Sequence, residues 1–236
     1  MSPPDDMPAS RLVIAIDGPA ASGKSSTAQW VATELGLQHV DSGAFYRAAT
    51  AAALRVHGSP ERWTARDVLV TAASITLSRE GVSFVPTLPG GLREDEMRGA
   101  AVTRHVSRVA QMPEVRAWVN AQVRTIARDH DVVVDGRDMG TAVFPSASLK
   151  VYLVADPWER ARRRLAQLLQ RRPTDAEIAE ETDRLVHRDA SDATQSLQAR
   201  DAVLIDTTAL TQQDQVARIV ALARAAIQRS GETGGG

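Results

Sequence analysis

The chain has 236 residues, 43% of them hydrophobic and 24% charged, which suits one globular α/β unit able to bury a core without covalent staples. It contains no cysteine, so disulfides and thiolate metal sites are excluded, and its net charge of -1 argues against a protein that coats nucleic acid. No apolar run approaches the roughly 18 residues of a membrane span, and MSPPDDMPAS lacks the basic and apolar segments of a signal peptide, so a cytoplasmic protein off the membrane is expected.

Residues 1–10 and 230–236 read as disordered ends around a single domain over 11–229. Leu12 to Asp17 (LVIAID) is a short apolar run ending at a glycine, the pattern of a buried parallel strand. A helix is predicted from Lys24 to Leu35 with Gly36 as its stop, then a strand over Leu37 to Asp41 and a helix over Gly43 to Val56. Ser74 to Arg79 and Val82 to Pro86 flank Gly81 and predict a hairpin on the sheet edge, inside an insertion over about 63–112. Three further strands are expected at 131–135, 149–154 and 202–206, with helices at 114–128, 157–170, 175–188 and 211–228. Strands separated by helices imply crossovers and a parallel sheet covered on both faces.

Gly18-Pro19-Ala20-Ala21-Ser22-Gly23-Lys24-Ser25 fits G-x-x-x-x-G-K-[ST], between a strand and a helix as the motif requires. The glycines let successive N–H groups curl around an anion, and the helix N-terminus adds partial positive charge. Lys24 is placed to reach the β- and γ-phosphates of ATP and Ser25 to join a Mg²⁺ shell, with Gly18 to Ser26 together expected to bind ATP. Only two of the 28 basic residues are lysine, Lys24 and Lys150, so in an arginine-biased chain an ammonium at position 24 is informative.

A phosphate loop does not name an acceptor. No N-K-x-D motif for guanine is present. The run VVVD at 132–135 offers a metal-binding Asp after a strand, but no glutamate follows it to position water. Instead, DSGAFYR at 41–47, DGRDMGT at 135–141 and HRDASDATQ at 187–195 combine acids, arginines and hydroxyls beside predicted strand ends. In an open parallel sheet such ends share one crevice.

IDGPAASGKSS, DSGAFYR and DGRDMGTAVFP together resemble the bacterial cytidylate kinase family, over about residues 11–228 and least within the insertion. The resemblance implies a P-loop NTPase fold of three layers with a five-stranded parallel sheet, a small inserted monophosphate-binding subdomain and an arginine-rich lid over about 156–190. It implies an ATP-dependent kinase of CMP and dCMP. Ser42, Arg47 and Arg137 would hold the CMP α-phosphate, and Asp138 would accept from the cytosine amino group. Ser107 and Arg116 would complete the base pocket, and Arg188 and Asp192 would hold the ribose. In DPWERARRR, Arg160, Arg163 and Arg164 would meet ATP and the transferred phosphoryl.

The acceptor is an ionised phosphate oxygen, so catalysis would be positioning and charge neutralisation without a general base. A monomer with no nucleic-acid partner is expected. The residues alone also admit a P-loop kinase of another small acceptor, such as UMP, or a nucleotide switch that transfers nothing. The family pattern RDxxDxxR ends here in Gln195, with Arg200 five residues on as a possible substitute. The lost cation predicts that Gln195→Arg lowers the KM for CMP in steady-state assays; an unchanged KM would mean that the phosphate grip is complete without it.

Overall fold

The computed structural model describes residues 11–193 and 196–233, with side chains to residue 229. The expected disorder of 1–10 and 234–236, and the departure at Gln195, lie outside the described residues, whereas 230–233, also expected to be disordered, continue the last helix to Thr233. In chain order come β1 (Val13–Asp17), α1 (Lys24–Leu35), β2 (Gln38–Asp41), α2 (Ser42–Val56), α3 (Ala65–Ala72), β3 (Thr76–Glu80) and β4 (Ser83–Thr87). Then follow α4 (Glu94–Met97), α5 (Ala100–Ala110), α6 (Pro113–Asp129), β5 (Val132–Gly136), β6 (Leu149–Val154), α7 (Pro157–Leu169), α8 (Asp175–Asp192), β7 (Val203–Asp206) and α9 (Gln212–Thr233).

Among the described residues the sheet has seven strands in the order β3-β4-β2-β5-β1-β6-β7, not the five expected. The five parallel core strands are present. The predicted hairpin adds to them, because β4 pairs in parallel with β2 (His39↔Ser83, Val40↔Phe84) and β3 returns antiparallel to β4. The hairpin covers an edge of β2 that would otherwise present unpaired backbone groups.

Side-chain alternation along β1 separates two cores. Val13 and Ala15 face α2, α3, α5 and α6, with Phe45, Trp63, Val106 and Val123. Ile14 and Ile16 face α1 and α9, with Val31, Ile219 and Ala223. A third, smaller cluster of Ala20, Ala161, Ile178 and Leu185 joins α7 and α8 to the loop after β1. The sequence reading missed α3, α4 and α5. The run LREDEMR looks like a charged loop, yet Met97 within it is buried, and α5 buries Val102, Val106 and Val109 at helical spacing.

Asp17, at the C-terminal end of β1, ties the loop after β5 to the loop after β1. Its carboxylate accepts from Met139 N at 2.9 Å and Gly140 N at 2.7 Å, which fixes the segment carrying Arg137 and Asp138. Burial pushes the Asp17 carboxyl up to about 6 from an ordinary 3.8, against the pull of the two amides. The folded state therefore holds this proton more tightly than the unfolded chain, and its contribution to stability grows as pH falls through 6. Asp17→Asn removes that component. The unfolding free-energy difference between wild type and variant should shift toward the wild type by on the order of 1 kcal/mol between about pH 7.5 and about pH 5, measured by chemical denaturation. A pH-independent difference would contradict the raised pKa.

Candidate active site

The loop between β1 and α1 is shaped by what fits beneath it. A Cβ at Gly18 would lie 2.2 Å from Leu153 O, so only glycine lets the chain pass β6 at this point. Gly23 caps α1 in the left-handed region, with φ at 87°. No side chain caps this helix and no acid lies in its first turn, so its leading amides keep their affinity for an anion. Lys24 Nζ folds back to donate to Pro19 O at 2.6 Å. Burial, and then the charge of Arg137, lower Lys24 to about 8, while Asp135, Asp17 and Asp41 pull the other way.

Ala20 to Ser26 line a cleft of about 1720 Å³, whereas Gly18 and Pro19 shape the loop from behind. The volume exceeds the roughly 300–1,000 Å³ of an ordinary small-ligand pocket, and leaves room for two ligands end to end. Ser25 Oγ donates to Asp135 Oδ2 at 2.6 Å. A hydroxyl and a carboxylate oxygen so placed are the hard donors that suit Mg²⁺. Among the described residues no cluster of three His, Cys, Asp or Glu could hold a metal alone, so phosphates and water would have to complete a shell.

The acceptor segments converge on the same cleft. Ser42 opens α2 and donates to Asp135 O at 2.8 Å, while Asp41 rather than Ser42 is the N-cap, accepting from Ala44 N. The approach is close: a Cβ at Gly136 would meet Ser42 Oγ at 2.5 Å. Arg47 lies more than a turn further into α2. Its contacts to Met97 O (3.5 Å) and Thr103 Oγ1 (3.4 Å) are long, and burial, then Arg188 and Arg98, lower it to about 10. Ser107 of α5 and Arg116 of α6 line the same wall. Arg116 donates to Ala110 O at 3.1 Å, pairs with Asp138, and stands 6.0 Å over the Tyr46 ring. Burial raises the Asp138 pKa, and Arg116 opposes the rise. Arg137 and Asp138 therefore do not pair with each other. Arg137 Nη2 instead meets Asp192 at 2.8 Å, and its Nη1 is buried without a hydrogen-bond partner among the described residues.

Two sequence expectations need correction. The segment from His187 to Asp192 does not follow a strand in the chain; it is the last turns of α8, which bring Asp192 to Arg137 at the end of β5 and Arg188 to 3.7 Å from Asp192. Arg160, Arg163 and Arg164 do not share a task. Arg160 is buried beneath the phosphate loop, donating to Ala20 O at 2.8 Å and pairing with Asp189 at 2.7 Å, and it does not line the cleft. Arg163 reaches Thr207 O (2.8 Å) and Thr208 O (2.9 Å), and Arg164 pairs with Glu181 at 2.8 Å; both line the cleft, as does Arg162. Arg200 is exposed and does not line the cleft.

Sequence reasoning also missed Asp17, His39, Arg98 and Asp189. Arg98 lines the cleft 4.0 Å from Asp41, and Asp189 accepts from Ala20 N at 3.3 Å. A polar His39 within the strand QHVD was the available signal for that residue.

Residues 14–225 match the family model described as cytidylate kinase. A cytidylate kinase of Corynebacterium efficiens is 38% identical over 96% of this chain and all of its own length. One from Geobacillus thermodenitrificans is 41% identical over 89% of this chain and 95% of its own. A solved shikimate kinase from Bacteroides thetaiotaomicron covers 90% of this chain and 98% of its own at 15% identity, with a TM-score of 0.46.

Proposed function

The chain belongs to the cytidylate kinase family, and on that premise we propose that it transfers the γ-phosphate of ATP to CMP and dCMP, giving ADP and the diphosphate. The observation that carries the reading is Arg137. Its Nη1 is a buried guanidinium donor with no hydrogen-bond partner among the described residues, in the cleft that the phosphate loop also lines. Leaving such a donor unsatisfied is costly, and a phosphate oxygen would satisfy it.

ATP lies with its β- and γ-phosphates over the α1 amides and Lys24. The phosphates draw Lys24 away from Pro19 O and stabilise its charged form. Ser25 and Asp135 would hold the Mg²⁺ that comes with ATP, which would supply positive charge to the phosphates. On the acceptor side, Arg137, Arg47 and Ser42 hold the α-phosphate, with Arg188 and Asp192 at the ribose. Asp138 accepts from the cytosine amino group, and Ser107 and Arg116 close the base pocket. A carboxylate there repels the carbonyl that uracil offers at the same place, which sets the preference for cytosine.

Arg163 and Arg164 are the lid cations for the transferred phosphoryl, once it outcompetes Glu159 and Glu181 for them. Arg160 braces the phosphate loop from below and does not touch the reacting atoms. The acceptor oxygen attacks in line without a base, and closure of α7 and α8 excludes water that would otherwise be phosphorylated. Among the described residues no helix is long and apolar enough to cross a membrane. A monomeric cytoplasmic enzyme of nucleotide metabolism is the setting that fits this chemistry.

The test is ADP release with ATP, Mg²⁺ and a panel of CMP, dCMP and UMP. CMP and dCMP should be turned over, with UMP far poorer; turnover independent of acceptor would overturn the reading. Asp138→Asn should lower kcat/KM for CMP roughly 10- to 100-fold and narrow the CMP-to-UMP ratio, because an amide can donate to a carbonyl. Lys24→Ala should abolish transfer with the circular-dichroism spectrum unchanged. Wild-type turnover in that variant would remove Lys24 from the mechanism.

A further inference from the structure

One buried group near the phosphate loop has no part in the reaction as described. His39, on β2, is 5% exposed, next to the core residue Val40 and between the half-buried Gln38 and Asp41. Its Nε2 lies 2.8 Å from Asp135 Oδ1 and its Nδ1 lies 2.9 Å from Ser83 Oγ. Ser83, on the inserted hairpin, also accepts from Gln29 Nε2 of α1 at 3.2 Å. The other Asp135 oxygen, Oδ2, takes the Ser25 hydroxyl at 2.6 Å.

These contacts form a chain whose direction is set by chemistry. An ionised carboxylate has no proton to give, so the hydrogen between His39 and Asp135 belongs to Nε2. Gln29 donates to Ser83 Oγ, which leaves the Ser83 hydroxyl free to donate to Nδ1. If the ring carries both protons, the Ser83 hydroxyl turns and Nε2–H stays on Asp135. In either case one oxygen of Asp135 is held toward β2 and the other is presented to Ser25.

We infer that His39 is a positioning residue for the divalent cation bound with ATP, acting through Asp135, and that Ser83 fixes its ring from the inserted hairpin. The inference rests on the reading of Ser25 and Asp135 as the residues that face that cation. A carboxylate free to rotate would offer the cation one of several orientations. Pinning Oδ1 removes that freedom before the metal arrives, as outer partners of metal-facing groups commonly do.

The test compares two side chains of like polarity. By length, the Gln amide nitrogen reaches the place of Nε2, whereas the Asn amide reaches only that of Nδ1. His39→Gln keeps the contact to Asp135, and His39→Asn keeps only the one to Ser83. For each, calorimetry gives the dissociation constant of ATP with Mg²⁺ and with EDTA, and the ratio of the two measures metal coupling.

His39→Asn should lower that ratio roughly 10-fold while leaving metal-free ATP affinity near wild type; His39→Gln should stay near the wild-type ratio. In an Asp135→Asn background, His39→Asn should add nothing. Equal ratios in the two His39 variants, or an equal loss with and without metal, would overturn the inference and leave His39 a packing residue. If neither variant folds, Ser83→Ala decides: a loss of roughly 3-fold in the ratio is expected, and a wild-type ratio overturns it. A wild-type protein whose ATP affinity ignores Mg²⁺ would overturn the metal reading itself, a separate result from any difference among the variants.

Discussion

Asp135 is a single residue through which three parts of the fold meet. Its carboxylate takes the Ser25 hydroxyl from the phosphate loop and the His39 ring from β2, while its backbone oxygen takes the Ser42 hydroxyl at the start of α2. It is 2% exposed at the end of the central strand β5. A carboxylate buried so deeply is tolerable only because each oxygen is hydrogen-bonded. The geometry that satisfies it also brings the donor and acceptor halves of the cleft to a fixed separation. Gly136 is the next residue, and its missing Cβ lets Ser42 come close enough to take part.

Around this fixed centre the arginines are held by carboxylates of α7 and α8. Asp192 holds Arg137, Glu181 holds Arg164, Glu159 holds Arg163, and Asp189 holds Arg160. Burial, and then neighbouring arginines, lower the pKa values of Arg47 and Arg188, so this density of positive charge would repel itself if left unpaired. The carboxylates offset that repulsion and also keep the cations from fixed engagement elsewhere. A phosphate carries more charge than a carboxylate and more acceptor oxygens, so it can take over such a guanidinium without a large rearrangement. Arg160 differs because its partners include the phosphate-loop backbone at Ala20 O.

What the sequence made legible was local. β1, the glycine-rich turn and α1 are read from a continuous apolar run, a motif and a helix stop, all within 25 residues. The five parallel strands followed from the alternation of strands and helices. The acceptor residues were reached through the family resemblance, since nothing in the spacing of Ser42, Arg137 and Arg188 states that they share a cleft. The pairings were not legible. The contact from Arg160 to Ala20 O spans 140 positions and turned a residue expected at the reacting phosphate into a brace. The contact from His39 to Ser83 spans 44 and depends on the hairpin joining the sheet, which its β-like pattern permitted but did not require. The helices of the insertion were missed for a different reason. Their charged faces dominate the local composition, and burial of Met97 and Val102 is evident only once α2 is beside them.

The hairpin's place in the sheet bears on how the molecule comes apart. Because β4 is laddered to β2, and because Trp63, Val68, Val102 and Val106 share one cluster with Val13 and Phe45, the insertion has no separate interior. It cannot melt or swing away without opening the main core. The helices α7 and α8 rest instead on a cluster of four buried residues, one of them from the phosphate loop. Sub-global opening should therefore begin there, at a free energy well below that of global unfolding. Amide hydrogens of α7 and α8 would exchange first, and those of the hairpin would exchange together with the central strands.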